Sequence, residues 1–194
     1  MRTEKLSFPG ASGEQLAARL DLPLDGAPLA YALFAHCFTC GKNLAALAHI
    51  SRELTQAGIG VLRFDFTGLG ESEGDFADTH FSSNVADLIA AARFLEQNYA
   101  APQLLIGHSL GGAAVLMAAN ALPQVKALAT IGAPAEAKHV LHLLADSRVE
   151  LAQTGEAQVR LAGRSFRIKQ SFVDDLEGTA LLDSIKQLRR ALLI

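Results

Sequence analysis

Leu104-Leu105-Ile106-Gly107-His108-Ser109-Leu110-Gly111 is the stretch whose reading decides the fold. Three apolar residues run into a Gly-x-Ser-x-Gly pentad, and an alanine-rich segment from Gly111 to Leu122 follows, closed by Pro123. The first part reads as a short buried strand and the last as a helix. A serine on a sharp turn between the two is held in a strained backbone conformation, with its hydroxyl above the sheet edge. Glycines two before and two after it let the neighbouring backbones pass without a Cβ clash. The helix N-terminus offers backbone N–H groups to developing negative charge. The three fixed letters arise by chance on the order of 0.06 times in a chain of this length, and the strand-before, helix-after context lowers that further. Ser109 is the candidate nucleophile. The plainer reading is a tight strand-to-helix turn with an idle serine.

Upstream, Lys5 to Phe8 and Gln15 to Leu22 read as two short strands around the turn residues Pro9 to Gly13. Ala30 to Ala35 is a continuous apolar run, as expected of a strand buried on both faces. Leu44 to Ala57 has helical periodicity and stops at Gly58; Gly60 to Phe66 is a further strand; Ser83 to Tyr99 is a helix with Ser82 or Ser83 as cap. Val125 to Ile131 is the strand after the alanine-rich helix. Strand and helix alternate, which predicts a mainly parallel sheet with helices on both faces and a site beyond the carboxyl ends of its strands.

From Ala135 the rhythm changes. Glu136 to Leu144 and Asp174 to Gln187 read as helical, and Gln158 to Leu161 with Ser165 to Lys169 flank a small hairpin turn at Ala162-Gly163-Arg164. Residues 135–187 are read as a small insertion within one domain spanning 1–194. Ala191 to Ile194 begins a new apolar strand, in which the sequence stops. The expectation is a domain truncated near its seventh strand, with an open edge able to pair in a homodimer.

The chain has 194 residues, half of them hydrophobic, 19% charged, with a net charge of −3. That suits one globular domain and gives no reason to expect nucleic acid or an anionic membrane as partner. No apolar run is long enough for a membrane span. Two cysteines make no disulfide framework for a chain this long, and a reducing cytoplasm is the expected location.

Two further segments join the pentad. His36-Cys37-Phe38-Thr39 follows the Ala30–Ala35 strand, where the backbone N–H of Phe38 can act with that of Leu110 as an oxyanion hole; the plainer reading is an ordinary strand-to-helix loop. Asp65-Phe66-Thr67-Gly68-Leu69-Gly70-Glu71-Ser72 follows another strand. In this order and spacing the three segments resemble the α/β-hydrolase superfamily of serine esterases. More narrowly, the phrases around His36 to Cys40, Leu62 to Phe76 and Phe81 to Leu88 are similar to bacterial hydrolases fused to an osmotically inducible, OsmC-type peroxide-handling domain. The resemblance implies an α/β-hydrolase fold, hydrolysis of a small acyl ester or related substrate, and no cofactor or metal. It also implies that Asp65 and its loop glycines are architectural.

The resemblance further implies the order nucleophile, acid, histidine, so both remaining triad members are expected beyond Ile194, and this chain alone is expected to be nearly inactive. Glu136 with His139 or His142 is the internal alternative, although those histidines sit on an amphipathic segment. His36 is expected to be structural, His108 to point away from the serine, and Asp174 and Asp175 to be solvated; His49 and His80 have no motif around them. Cys37 and Cys40 form a C-x-x-C before a helix. They are read first as small residues shaping the oxyanion loop, and second as a redox pair with a thiol or peroxide-linked role. The remaining alternative is a non-catalytic binding or dimerisation module.

Overall fold

The computed structural model describes residues 1–161 and 163–194. In chain order it holds strands β1 (Arg2–Pro9), β2 (Gln15–Leu22) and β3 (Ala30–Ala35), helix α1 (Ala45–Gln56), strand β4 (Ile59–Phe64), helix α2 (Phe81–Asn98), strand β5 (Leu104–His108), helix α3 (Leu110–Ala118) and strand β6 (Ala127–Ile131). A 3-10 segment, Ala137–Ser147, then leads into α4 (Arg148–Thr154), β7 (Glu156–Leu161), β8 (Arg164–Lys169), α5 (Gln170–Gly178), α6 (Leu181–Gln187) and β9 (Ala191–Leu193). The turn expected at Ala162-Gly163-Arg164 includes Ala162, which lies outside the described residues.

Seven strands form one sheet in the order β1-β2-β4-β3-β5-β6-β9. β1 and β2 form an antiparallel hairpin, and β2 pairs antiparallel with β4. From β4 through β3, β5 and β6 to β9 every pairing is parallel. The chain winds from β3 outward to β4, then returns to the other side of β3 with β5. Strand order therefore reverses between β3 and β5, the place where loops at the carboxyl ends diverge and leave a crevice. The loops carrying His36 and Ser109 leave the sheet at that point.

Alternation along the strands sorts the core into two layers, as the two-residue period of a strand requires. Ala32, Phe34, Val61 and Ile106 face α1 and pack with Leu47, while Leu33, Ala35, Leu62, Phe64 and Leu105 join the larger core with α2 and α3. Burial on both faces explains why β3 and β5 read as unbroken apolar runs.

One expectation changes at the start of α2. The α2 cap is His80 rather than Ser82 or Ser83: Ser83 is one turn in, its Oγ accepting the His80 N–H at 2.8 Å. The closing strand β9, expected to leave an open edge, is a three-residue edge strand with Leu193 70% exposed. Its apolar residues, with Ile50, Leu54, Leu104 and Ile106, line an open cavity of about 530 Å³. Helix α1 borders this face through Ile50 and Leu54.

Candidate active site

Ser109 joins β5 to α3 with φ 54° and ψ −124°. It is the only non-glycine residue with positive φ among the described residues. Such a conformation costs on the order of 1–3 kcal/mol and persists only where its surroundings over-determine it. Those surroundings are backbone. The Ser109 N–H donates to the Ile131 carbonyl at 2.9 Å, tying the turn to the end of β6. A Cβ on Gly107 would lie 2.4 Å from the Gly111 carbonyl oxygen, and one on Gly111 would lie 2.3 Å from that of His36. Gly111 thus lets the start of α3 press against the end of β3. Gly112, which the sequence reading did not single out, has the same role: its Cβ would meet that of Ala133 at 2.6 Å.

That close approach sets the loop after β3 beside the turn. Among the described residues, the N–H groups of Phe38 and Leu110 donate to no protein acceptor, and the Ser109 hydroxyl has no hydrogen-bond partner. The loop is fixed through other groups. His36 is fully buried, its Nδ1 shares a 2.8 Å hydrogen bond with the Cys37 carbonyl, and its ring meets Phe66 edge-on. Burial pushes the imidazole below its ordinary pKa, outweighing the bond to Cys37 and the charge of Asp65, so it is a neutral, structural histidine. The Phe38 ring stacks on Phe172 at 4.9 Å and tilts against Phe76.

Asp65 clamps the far end of the same loop. Its carboxylate accepts the Lys42 N–H at 2.6 Å, the Lys42 ammonium at 2.5 Å and the Glu71 N–H at 3.0 Å. Gly70 has φ 57°, and a Cβ there would sit 2.2 Å from Asp65 Oδ2. The motif's glycine is needed because the loop folds back over its own aspartate. Lys42 is itself buried and reaches Glu71, while its carbonyl accepts from Arg63, which pairs with buried Asp21. Burial would raise the Asp21 pKa, but hydrogen bonds from Arg63, Ser51 and Thr3 outweigh it and hold the carboxyl below its ordinary range. Lys42, Arg63 and Asp21 were not singled out from the sequence, because a buried ion network carries no periodic signal.

The segment after β6 packs against both the loop after β3 and residues 75–78. Phe172 of α5 stacks on Phe38, and Phe166 of β8 tilts against Phe76 with Arg164 over its ring. Arg167 pairs with Asp75 at 2.6 Å and Lys169 with Asp78. Asp175, expected to be solvated, instead accepts the Ser82 N–H at 2.9 Å at the start of α2; Asp174 meets only Gln170.

Glu136, His139 and His142 are exposed and are not brought to Ser109 by any hydrogen bond among the described residues. Glu136 pairs with Lys138 at 3.1 Å, and His142 bonds the His139 carbonyl. All three line a surface cavity of about 580 Å³ with Leu141 and Leu182. His49 is exposed, and His80 bonds Ser171 at 3.1 Å. Cys37 and Cys40 are joined by a disulfide, which corrects their reading as small loop-shaping residues only. His108 turns toward them: its ring nitrogen and both sulfurs lie within 4.8 Å of one another.

Residues 32–181 match the serine aminopeptidase S33 family of α/β hydrolases. The chain belongs to that family. Among solved structures, this α/β hydrolase is similar to the esterase domain of a Rhodothermus marinus protein, with 53% identity, a TM-score of 0.76, and coverage of 99% of this chain and 75% of that one. It is 33% identical over 131 residues to the mouse palmitoyl-protein thioesterase ABHD10, mitochondrial, covering 63% of this chain and 42% of that protein. The mouse ABHD10 structure aligns with a TM-score of 0.69 at 25% identity, over 90% of this chain and 69% of the other. The α/β hydrolase described here spans less than half the length of the curated relatives it matches.

Proposed function

We propose that this α/β hydrolase is a serine hydrolase that cleaves carboxylic esters or thioesters through Ser109. The observation that carries the reading is the strained backbone of Ser109, held by glycine contacts beside two unpartnered N–H groups. Strain of this kind, at a serine at the carboxyl end of a central strand, accords with a hydroxyl displayed for attack. The Ser109 oxygen attacks the acyl carbon and its proton passes to a base. The N–H groups of Phe38 and Leu110 hold the oxyanion, the alcohol or thiol leaves with a proton, and water then hydrolyses the acyl-enzyme. Similarity to an esterase domain supports esters, and similarity to a palmitoyl-protein thioesterase supports thioesters.

The base and its orienting acid are proposed to lie outside residues 1–194, because Glu136, His139 and His142 form their own exposed cluster. Without them, attack by Ser109 is expected to be slow, several orders of magnitude below a working esterase. A cytoplasmic location is part of the same proposal; no helix among the described residues is long and apolar enough to cross a membrane. The exposed β9 edge favours a second reading, a module that pairs through Leu192 and Leu193. Hydrolysis of p-nitrophenyl and thio-esters by this chain and by Ser109→Ala tests the first. Slow turnover that vanishes in the variant is expected. Equal rates in both chains would overturn it, and esterase-like rates abolished by replacing His139 and His142 would place the base inside the chain.

A further inference from the structure

The half-buried group formed by Cys37, Cys40 and His108 takes no part in the acyl chemistry above. The two cysteines flank Phe38 and Thr39, and the Cys40 N–H donates to the Cys37 carbonyl at 3.1 Å, so the backbone between them is a tight turn. Their Cα atoms are 5.3 Å apart, within the range a disulfide spans. His108 is the independent observation. Its Nδ1 is buried with no hydrogen-bond partner among the described residues, and one of its ring nitrogens stands within 4.8 Å of both sulfurs. An imidazole beside the pair would stabilise a thiolate, the form of cysteine that reacts.

We propose that Cys37 and Cys40 are a reversible dithiol–disulfide couple, served by His108, whose closure fixes the backbone of Phe38. The partner class is a low-molecular-weight disulfide such as oxidised glutathione. One cysteine thiolate attacks a sulfur of that disulfide, forming a mixed disulfide and expelling one thiolate. The second cysteine thiolate then attacks the protein sulfur of the mixed disulfide and expels the other. The two cysteine protons end on the two released thiols, the protein pair is oxidised by two electrons, and the small disulfide is reduced by two. Closure locks the three peptide units that carry the Phe38 N–H; opening frees them. The thiol chemistry stands whether or not Ser109 is a nucleophile, and only the consequence for the oxyanion hole rests on the hydrolase reading.

The test equilibrates the full chain across a series of reduced-to-oxidised glutathione ratios and counts free thiols by maleimide mass shift. Both thiols should disappear together in one two-electron transition. In the reduced chain, His108→Gln should slow iodoacetamide alkylation near neutral pH by about tenfold, the effect of roughly one unit of thiol pKa. Alkylation that is unchanged in His108→Gln would overturn the role of His108. Two cysteines that never pair at any ratio, or a purified chain holding one zinc that glutathione disulfide does not displace, would overturn the couple. None of these readouts depends on ester hydrolysis, so a failed hydrolase reading would leave them intact.

Discussion

At Ser109 the chain is held by backbone pressed on backbone, whereas over residues 135–187 it is held by side chains. The turn after β5 depends on Gly107, Gly111 and Gly112, where any Cβ would collide with main-chain or Cβ atoms at 2.3–2.6 Å. The segment carrying β7 and β8 rests on the loop after β3 through Phe172 and on the segment around Asp75 and Phe76 through Phe166 and exposed pairs such as Arg167 with Asp75. Backbone contacts of the first kind cannot relax without moving a strand or a helix. Contacts of the second kind can be exchanged one side chain at a time, so a single scaffold can carry different covers over one turn.

The sharpest way to break this contrast is Gly111→Val, which puts a branched side chain where the His36 and Ala35 carbonyls now sit. A loss of about 4 kcal/mol or more is expected, read as a collapse of the denaturant midpoint. Lys42→Met comes next. It strands the buried Asp65 carboxylate, and removing one partner of such a pair costs about 3–5 kcal/mol. Ser109→Gly should move the other way, stabilising the chain by about 1 kcal/mol as the positive φ ceases to be strained. At the small end, Arg167→Ala on the covering hairpin should leave the thermal midpoint within measurement error, since an exposed pair is worth little. A collapse in that last variant would mean that the cover and the turn fold as one unit.

The same contrast explains what was legible beforehand. Glycines around Ser109 and the Asp65 loop are readable because the backbone demands them, and a demand on the backbone leaves a letter at a fixed position. The alternating strands of the parallel sheet were readable because burial on both faces removes polar residues from β3 and β5. The Asp21–Arg63–Lys42–Asp65 network was not, because it joins residues far apart in sequence that look like ordinary surface charges. Asp175 was misjudged for the same reason: its partner, Ser82, is on another element. The approach of His108 to Cys37 and Cys40 depends on how β5 lies beside β3, which no local pattern encodes. The open edge at β9 was legible because an apolar run without a following partner strand leaves one side unpaired.

The account turns on whether Ser109 is a displayed nucleophile or an idle turn residue. Treating the folded chain with a fluorescent fluorophosphonate and locating the adduct by peptide mass spectrometry addresses this most directly. The account predicts slow labelling confined to Ser109 and absent in Ser109→Ala. Labelling that persists unchanged in that variant, or that maps to another serine, would contradict it.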